Sequence, residues 1–312
     1  MEFRRLGESG LKVSEIGLGC NNFGGRMDQA QTSAVVETAL DAGINLFDTA
    51  DVYGGAGKSE EMLGVALGKR RHEAILATKF GAPMGPSPYQ RGGSRRYVME
   101  AVDASLSRLK TDYIDLYQMH VPDTETPIEE TLGALDDIVR AGKVRYVGCS
   151  NFSGWQIADA DWISRGEHRT RFVSAQNNYS LLERNVEHEV TPACARFGLG
   201  VLPYFPLASG LLTGKYQRGE PPAEGTRLAA AGRRGAEALS DNNFDRLDRL
   251  AGWAAEHGRT LLDLAFAWLL GHPVVASVIA GATKPQQVAA NVATSGWKLT
   301  AEEVAEVTKL AK

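Results

Sequence analysis

Cysteine is scarce: three occur in 312 residues, Cys20, Cys149 and Cys194. They lie far apart and form no Cys-x-x-Cys pair, which excludes a disulfide framework and a zinc–thiolate site and fits a reducing cytoplasm. Histidine is also sparse, with six. His188-Glu189 lacks the second histidine four residues on that a zinc-protease helix requires, and no metal is expected. No apolar run approaches the ~20 residues that span a bilayer, and Met1-Glu2-Phe3-Arg4-Arg5 has no secretion-signal core. Excess charge of one sign is missing too: 34 basic against 38 acidic residues give −4, with no long block. Nucleic acid and anionic membrane are therefore not expected as partners. A soluble cytoplasmic protein is expected, and nothing in the sequence indicates an oligomer.

What is present is alternation. With 43% hydrophobic and 23% charged residues, the chain can bury a large core. Extended runs lie near Ile16–Cys20, Asn45–Ala50, Ile75–Phe80, Tyr113–His120, Val144–Asn151, Phe172–Asn177, Val201–Leu207 and Ser277–Ala280. Most are apolar without a polar alternation, as parallel strands buried on both faces should be. Helical stretches between them carry their own punctuation. Asp28 and Gly43 bracket the first, Ser94 caps Arg95–Leu109, and Thr126-Pro127 with Glu129 opens another that Gly142 stops. This pattern predicts a (β/α)8 TIM barrel, one domain over residues 1–312, rather than a doubly wound sheet. Phe3–Val13 reads as a β-hairpin outside the alternation, placed to cover the barrel floor. After the seventh strand, Ala208–Asn243 forms a long Gly/Ala/Arg-rich connection around Gly219-Glu220-Pro221-Pro222. Its composition predicts a mobile binding loop.

Two phosphate-binding patterns fail. Gly17-Leu18-Gly19 follows a strand, but a dinucleotide fingerprint needs glycine where this chain has Asn22. Gly57-Lys58-Ser59 imitates the end of a P-loop, yet the glycine required five residues earlier is Val52, and Glu60-Glu61 would repel phosphate.

One constellation remains. Three of the apolar runs end on reactive side chains: Asp48, with Tyr53 just beyond it, then Lys79, then His120. Each alone has a plain structural reading, a turn cap or a strand end reaching solvent. Together they would converge at the C-terminal mouth of consecutive parallel strands, the face where barrel enzymes place chemistry. A phenol with an ordinary pKa of about 10 is a poor acid near neutrality. A nearby ammonium held by a carboxylate would favour its ionised form, and an imidazole could hydrogen-bond the same substrate oxygen. That set suits reduction of a carbonyl with tyrosine as proton donor.

The residues around these four also carry a resemblance. Phe47-Asp48-Thr49-Ala50-Asp51-Val52-Tyr53-Gly54, Ala77-Thr78-Lys79-Phe80 and Asp115-Leu116-Tyr117-Gln118-Met119-His120 resemble aldo-keto reductase motifs. So do Val147–Phe152, Ala175–Tyr179 and Leu207–Lys215, all in that family's order along nearly the whole chain. Within the family, the bacterial and potassium-channel β-subunit-like branch is the more similar. The resemblance implies NADPH bound without a Rossmann domain, with NAD the less favoured cofactor. It implies that Ser150, Asn151 and Gln176 hold the nicotinamide carboxamide while Tyr204 stacks on the ring. Leu207, Ser209, Gly210, Lys215 and Arg227 would embrace the pyrophosphate. Gly281, Thr283, Lys284, Gln287 and Asn291 would take the adenosine end, with Lys284 and a helix starting near Pro285 facing the 2′-phosphate. Phe205 replaces a serine frequent in the family, and Gln287 stands where relatives often carry arginine.

The strand-end loops nominate Asn22, Phe23, Met27, Phe80, Tyr89 and Val121 as walls of the substrate pocket, mixed in polarity and without a fixed anion clamp. Small dicarbonyls, aromatic aldehydes and sugar-like ketones all remain open as the small carbonyl substrate. Two other functions compete: a cofactor-binding regulatory or redox-sensor subunit with little turnover, and an aldolase using Lys79 as a Schiff-base nucleophile.

Overall fold

Runs of four to seven apolar residues between helical stretches are too short to be helices and too continuous for a half-wet sheet, which leaves buried parallel strands. The structure, a computed structural model, describes residues 1–312, the side chain of Arg234 excepted. Strands β1 (Phe3–Arg5) and β2 (Lys12–Ser14) pair antiparallel as the expected hairpin. Eight more are parallel: β3 (Ile16–Gly19), β4 (Leu46–Asp48), β5 (Ile75–Phe80), β6 (Ile114–Met119), β7 (Val144–Ser150), β8 (Phe172–Gln176), β9 (Gly200–Val201) and β10 (Val278–Gly281). From β3 to β9 each pairs with the next in sequence, and β10 lies beside β3. Closure comes at β9, where Val201 bridges Val275 and the Ile279 N–H donates to the Pro203 carbonyl at 3.0 Å. The result is the expected (β/α)8 barrel.

The expected seventh strand, Val201–Leu207, is largely absent: only Gly200–Val201 is a strand. Pro203 and Pro206 have no N–H to give to a ladder, and Phe205 has φ +52°, so the chain leaves the sheet there.

Helices α1 (Gln29–Asp41), α2 (Lys58–Leu67), α3 (Arg95–Leu109), α4 (Ile128–Arg140), α5 (Gly154–Gly166) and α6 (Val190–Phe197) follow successive strands. Asp28 and Ser94 cap α1 and α3 through their side chains. The cap expected from Thr126 does not form: Pro127 occupies the capping position, and Asp123 organises the preceding turn by accepting from the Glu125 N–H at 2.9 Å. The long connection has structure of its own. It holds α7 (Arg227–Ala230) and α8 (Arg233–Ala238), buries Leu211, Leu212 and Leu228, and ties Arg218 to Asp241, Asp245 and Asp248. Asp241 begins α9 (Asp241–Glu256), which is followed by α10 (Leu261–Leu270), α11 (Pro285–Ala293) and α12 (Ala301–Leu310). Among the described residues no helix is long and apolar enough to cross a membrane.

Side chains of a strand alternate between faces, so residues two apart stack along the barrel axis. Leu46, Ala77 and Leu116 form an apolar layer inside the barrel, joined by Leu202, Ala276 and Ile279. The hairpin closes this layer from below with Leu6 and Val13, both 0% exposed. Two residues further along β4, β5 and β6 come Asp48, Lys79 and Gln118, so the reactive layer rests on a dry floor. Leu6→Ala should leave a cavity in that floor and lower stability by about 2–5 kcal/mol. Urea unfolding followed by circular dichroism measures this; a loss below ~1 kcal/mol would show that the hairpin does not plug the barrel.

Candidate active site

Asp48 ends β4, Lys79 is the penultimate residue of β5, and His120 follows β6, its N–H donating to the Phe80 carbonyl at 2.8 Å. The register that sets Asp48 against Ala77 and Lys79 against Gln118 brings these groups to one depth. The Lys79 side chain is fully buried. Its ammonium donates to Asp48 Oδ2 at 2.6 Å and to the Thr49 carbonyl at 2.8 Å, and lies 5.1 Å from the centroid of the Tyr53 ring. His120 meets that ring edge-on at 5.6 Å. The four expected reactive groups therefore share one site.

Their electrostatics follow from burial and pairing. Burial works against the Lys79 ammonium, but the Asp48 charge and the neighbouring Tyr53 outweigh it and leave the pKa above its ordinary value. Burial also dominates at Tyr53: it raises the phenol despite the opposing pull of Lys79, so the net shift is upward. The sequence-based expectation of a lowered phenol pKa is thus corrected, because desolvation exceeds the ammonium's effect. His120 is pushed down to about 3 by burial and then by the Lys79 charge, which makes it a neutral imidazole at physiological pH. A neutral imidazole can still donate a hydrogen bond.

Sequence reasoning missed the support beneath Asp48. Its Oδ1 accepts from Gln118 Nε2 at 3.2 Å and from Gln176 Nε2 at 2.8 Å, leaving Oδ2 to Lys79. Gln118 is 0% exposed. The signal was available: a glutamine two residues after Leu116 in an apolar strand has to point into the barrel and find a partner there.

A cavity of about 870 Å³ opens over this group and runs between the β9 and β10 ends. Asp48, Tyr53 and His120 line its inner end, while Lys79 sits behind them. Ser150, Asn151, Gln176 and Tyr204 form the adjacent wall. Asn151 is held there at φ +61° by donating to the His120 carbonyl at 2.9 Å and accepting from the Tyr204 hydroxyl at 2.7 Å. Leu207, Ser209, Gly210, Lys215 and Arg227 line the stretch after β9. Gly210 has φ +96°, a backbone conformation that favours glycine, and Lys215 Nζ packs against it. The far end is lined by Gly281, Thr283, Lys284, Gln287 and Asn291, with Lys284 and Pro285 opening α11 as expected. Gln287 is exposed and folds back on its own turn, its Oε1 accepting from the Thr283 N–H at 2.7 Å.

The six expected substrate-pocket residues divide. Asn22 lines the cavity, but Phe23, Met27 and Phe80 are packed in the core outside the barrel. Phe80 follows the inward-pointing Lys79 by one position, so it faces the helices and stacks on Tyr117 at 4.8 Å. Tyr89 is exposed beneath the Arg96 guanidinium and Val121 is exposed next to His120; neither lines the cavity. Asn21 and Arg26 do line it, though the sequence did not single them out. Arg26 crosses the mouth to the Gly225 carbonyl at 2.7 Å, and Arg227 lies 5.0 Å over the Phe205 ring.

Comparison with known proteins agrees with this geometry. The pattern of the Aldo/keto reductase family matches residues 15–312. A probable voltage-gated potassium channel subunit beta of Oryza sativa is 37% identical over 94% of this chain and 90% of its own. A versiconal hemiacetal acetate reductase of Aspergillus parasiticus is 35% identical, covering 97% of this chain and 95% of its own. An L-glyceraldehyde 3-phosphate reductase of Escherichia coli K12 is also 35% identical, over 98% and 91%. The chain belongs to the aldo/keto reductase family of oxidoreductases.

Proposed function

We propose that the protein reduces an aldehyde or ketone to an alcohol with NADPH as cofactor and Tyr53 as proton donor. The observation that carries this reading is the buried Lys79 ammonium, pinned by Asp48 Oδ2 and the Thr49 carbonyl beneath the Tyr53 ring, with neutral His120 at its edge. When bound, the nicotinamide supplies the hydride. Tyr53 gives its proton to the carbonyl oxygen as negative charge builds there. Lys79 stabilises the phenolate left behind, Asp48 keeps Lys79 charged and aimed, and His120 donates a hydrogen bond to the same oxygen. Gln118 and Gln176 fix the carboxylate so that this direction is set before substrate arrives.

The walls suit a dinucleotide phosphate. Lys215 and Lys284 make no ion pair among the described residues, and the first N–H groups of α11 face the same end as Lys284. In this reading Ser150, Asn151 and Gln176 hold the carboxamide and Tyr204 covers the ring. Ser209, Gly210, Lys215 and Arg227 hold the pyrophosphate, and Thr283, Lys284, Gln287 and Asn291 the adenosine phosphate. A regulatory subunit with little turnover is the second reading, favoured by the likeness to the channel subunits. Multiple-turnover oxidation of NADPH across a panel of simple aldehydes and ketones separates the two.

Tyr53→Phe keeps the ring and removes the proton, so turnover should fall by about 10²-fold or more while NADPH affinity stays the same. Steady-state kinetics with fluorescence titration checks this; near-normal turnover would remove Tyr53 from the role. Lys284→Ala should weaken NADPH by about 1.5 kcal/mol, the low end for a charged hydrogen bond because Lys284 is exposed, and leave NADH unchanged. Equal losses for both cofactors in the same titration would mean that Lys284 does not meet the 2′-phosphate.

A further inference from the structure

A second ionisable cluster lies directly behind the catalytic group and takes no part in the proposed reduction. Asp51 and Glu60 are 1% and 0% exposed. Glu60, in the first turn of α2, receives Arg108 Nε at 2.6 Å and Thr78 Oγ1 at 2.6 Å. Among the described residues Asp51 has no cation: its Oδ2 accepts from the Tyr97 hydroxyl at 3.3 Å, and its Oδ1 has no partner.

Few charged or titratable groups face this pair. From α2 comes Glu60, from α3 Tyr97 and Arg108, and from β6 the Tyr117 phenol, buried and unpartnered. From β5 comes Lys79, whose charge is already committed to Asp48 of β4. Two buried carboxyl groups thus share one guanidinium. Ionising both would leave an uncompensated negative charge inside the protein, a costly state that is relieved by keeping one proton. Glu60 holds the ion pair, so the proton belongs on Asp51. Burial first, and the Glu60 charge second, push the Asp51 carboxyl up to about 7.

The segment carrying Asp51 also carries Tyr53. The Asp51 N–H donates to the Lys79 carbonyl at 3.1 Å, Thr49 Oγ1 meets Ser59 Oγ at 2.8 Å, and the Ser59 N–H donates to the Tyr53 carbonyl at 3.2 Å. Ser59 and Glu60 are adjacent on α2, so repulsion between Asp51 and Glu60 acts on the contact that seats Tyr53. We propose that Asp51 is a positioning residue kept as the neutral acid, and that losing its proton drives it from Glu60 and displaces Tyr53 from its working position. The kinetic part rests on the reading of Tyr53 as proton donor; the stability part does not.

The sign follows from linkage. A carboxyl whose pKa is higher folded than unfolded contributes stability at low pH, which is lost as pH rises from the ordinary carboxylate range through about 7. Asp51→Asn presents a neutral group of the same shape at every pH. Glu60→Gln frees Arg108 to pair with Asp51, which then ionises in the ordinary range. In the wild type, kcat should fall about tenfold from pH 6 to pH 8, the change in protonated fraction for a group titrating near neutrality, and the thermal midpoint should fall as pH rises from about 4 to about 7. Both steps should flatten in each variant, with the KM for the carbonyl substrate unchanged. If Asp51→Asn does not fold, Glu60→Gln and the wild-type profile carry the test. A step that persists in the folded variants, or a wild type with no step in its thermal midpoint, overturns the proposal. A midpoint step that flattens while kcat keeps its own profile would keep Asp51 as the titrating group and remove its link to Tyr53.

Discussion

Lys79 has no exposed surface, and an ammonium in that position can stay charged only if its counter-charge is within hydrogen-bond reach. Asp48 supplies it at 2.6 Å, and the Thr49 carbonyl supplies the next contact. Breaking one partner out of a buried pair costs about 3–5 kcal/mol, so the pair constrains everything that holds it. It fixes the register of β4 against β5, because a slip of one residue in either strand would turn that strand's member of the pair out of the barrel. It requires the glutamines that occupy the other carboxylate oxygen. It also requires a dry floor, which the N-terminal hairpin completes from below with Leu6 and Val13.

The same constraint sets the charge state of the surrounding groups. With one net-neutral ion pair in place, the buried interior tolerates little more charge. His120 is neutral because Lys79 and burial disfavour its protonated form, and Tyr53 remains a phenol because burial outweighs the ammonium. Behind them, Glu60 takes the Arg108 guanidinium of α3. Among the described residues, Lys215 and Lys284 on the cavity wall make no ion pair, and in the proposed function an anionic cofactor would pass there.

Much of this was legible in the sequence, for reasons that can be named. Apolar runs ending on Asp48, Lys79 and His120 marked both the parallel strands and the face where they finish. Turn and cap residues such as Asp28 and Ser94 placed helix starts. The seventh strand is shorter than its sequence suggests, because apolar composition in Val201–Leu207 conceals the effect of Pro203 and Pro206 on the backbone ladder. Proximity to a strand end does not give direction: Phe80 is next to Lys79 in sequence and therefore on the opposite face. Gln118 was legible by that alternation, yet its partner was not, since sequence does not show which inward carboxylate lies one strand away. The Asp51–Glu60–Arg108 arrangement joins three elements, and no local pattern reveals its charge balance.

The account stands on Lys79 and Tyr53 acting as one unit, which a double-mutant cycle on turnover measures directly. Tyr53→Phe, Lys79→Met and the double variant, each shown folded by circular dichroism, should be compared under the same saturating NADPH and carbonyl substrate. If Lys79 acts by stabilising the phenolate of Tyr53, it has nothing to act on once the phenol is gone. The double variant should then be about as slow as Tyr53→Phe alone, as expected for residues that function together. Losses that multiply, with the double variant slower by the product of the two single effects, would show independent roles and contradict the account.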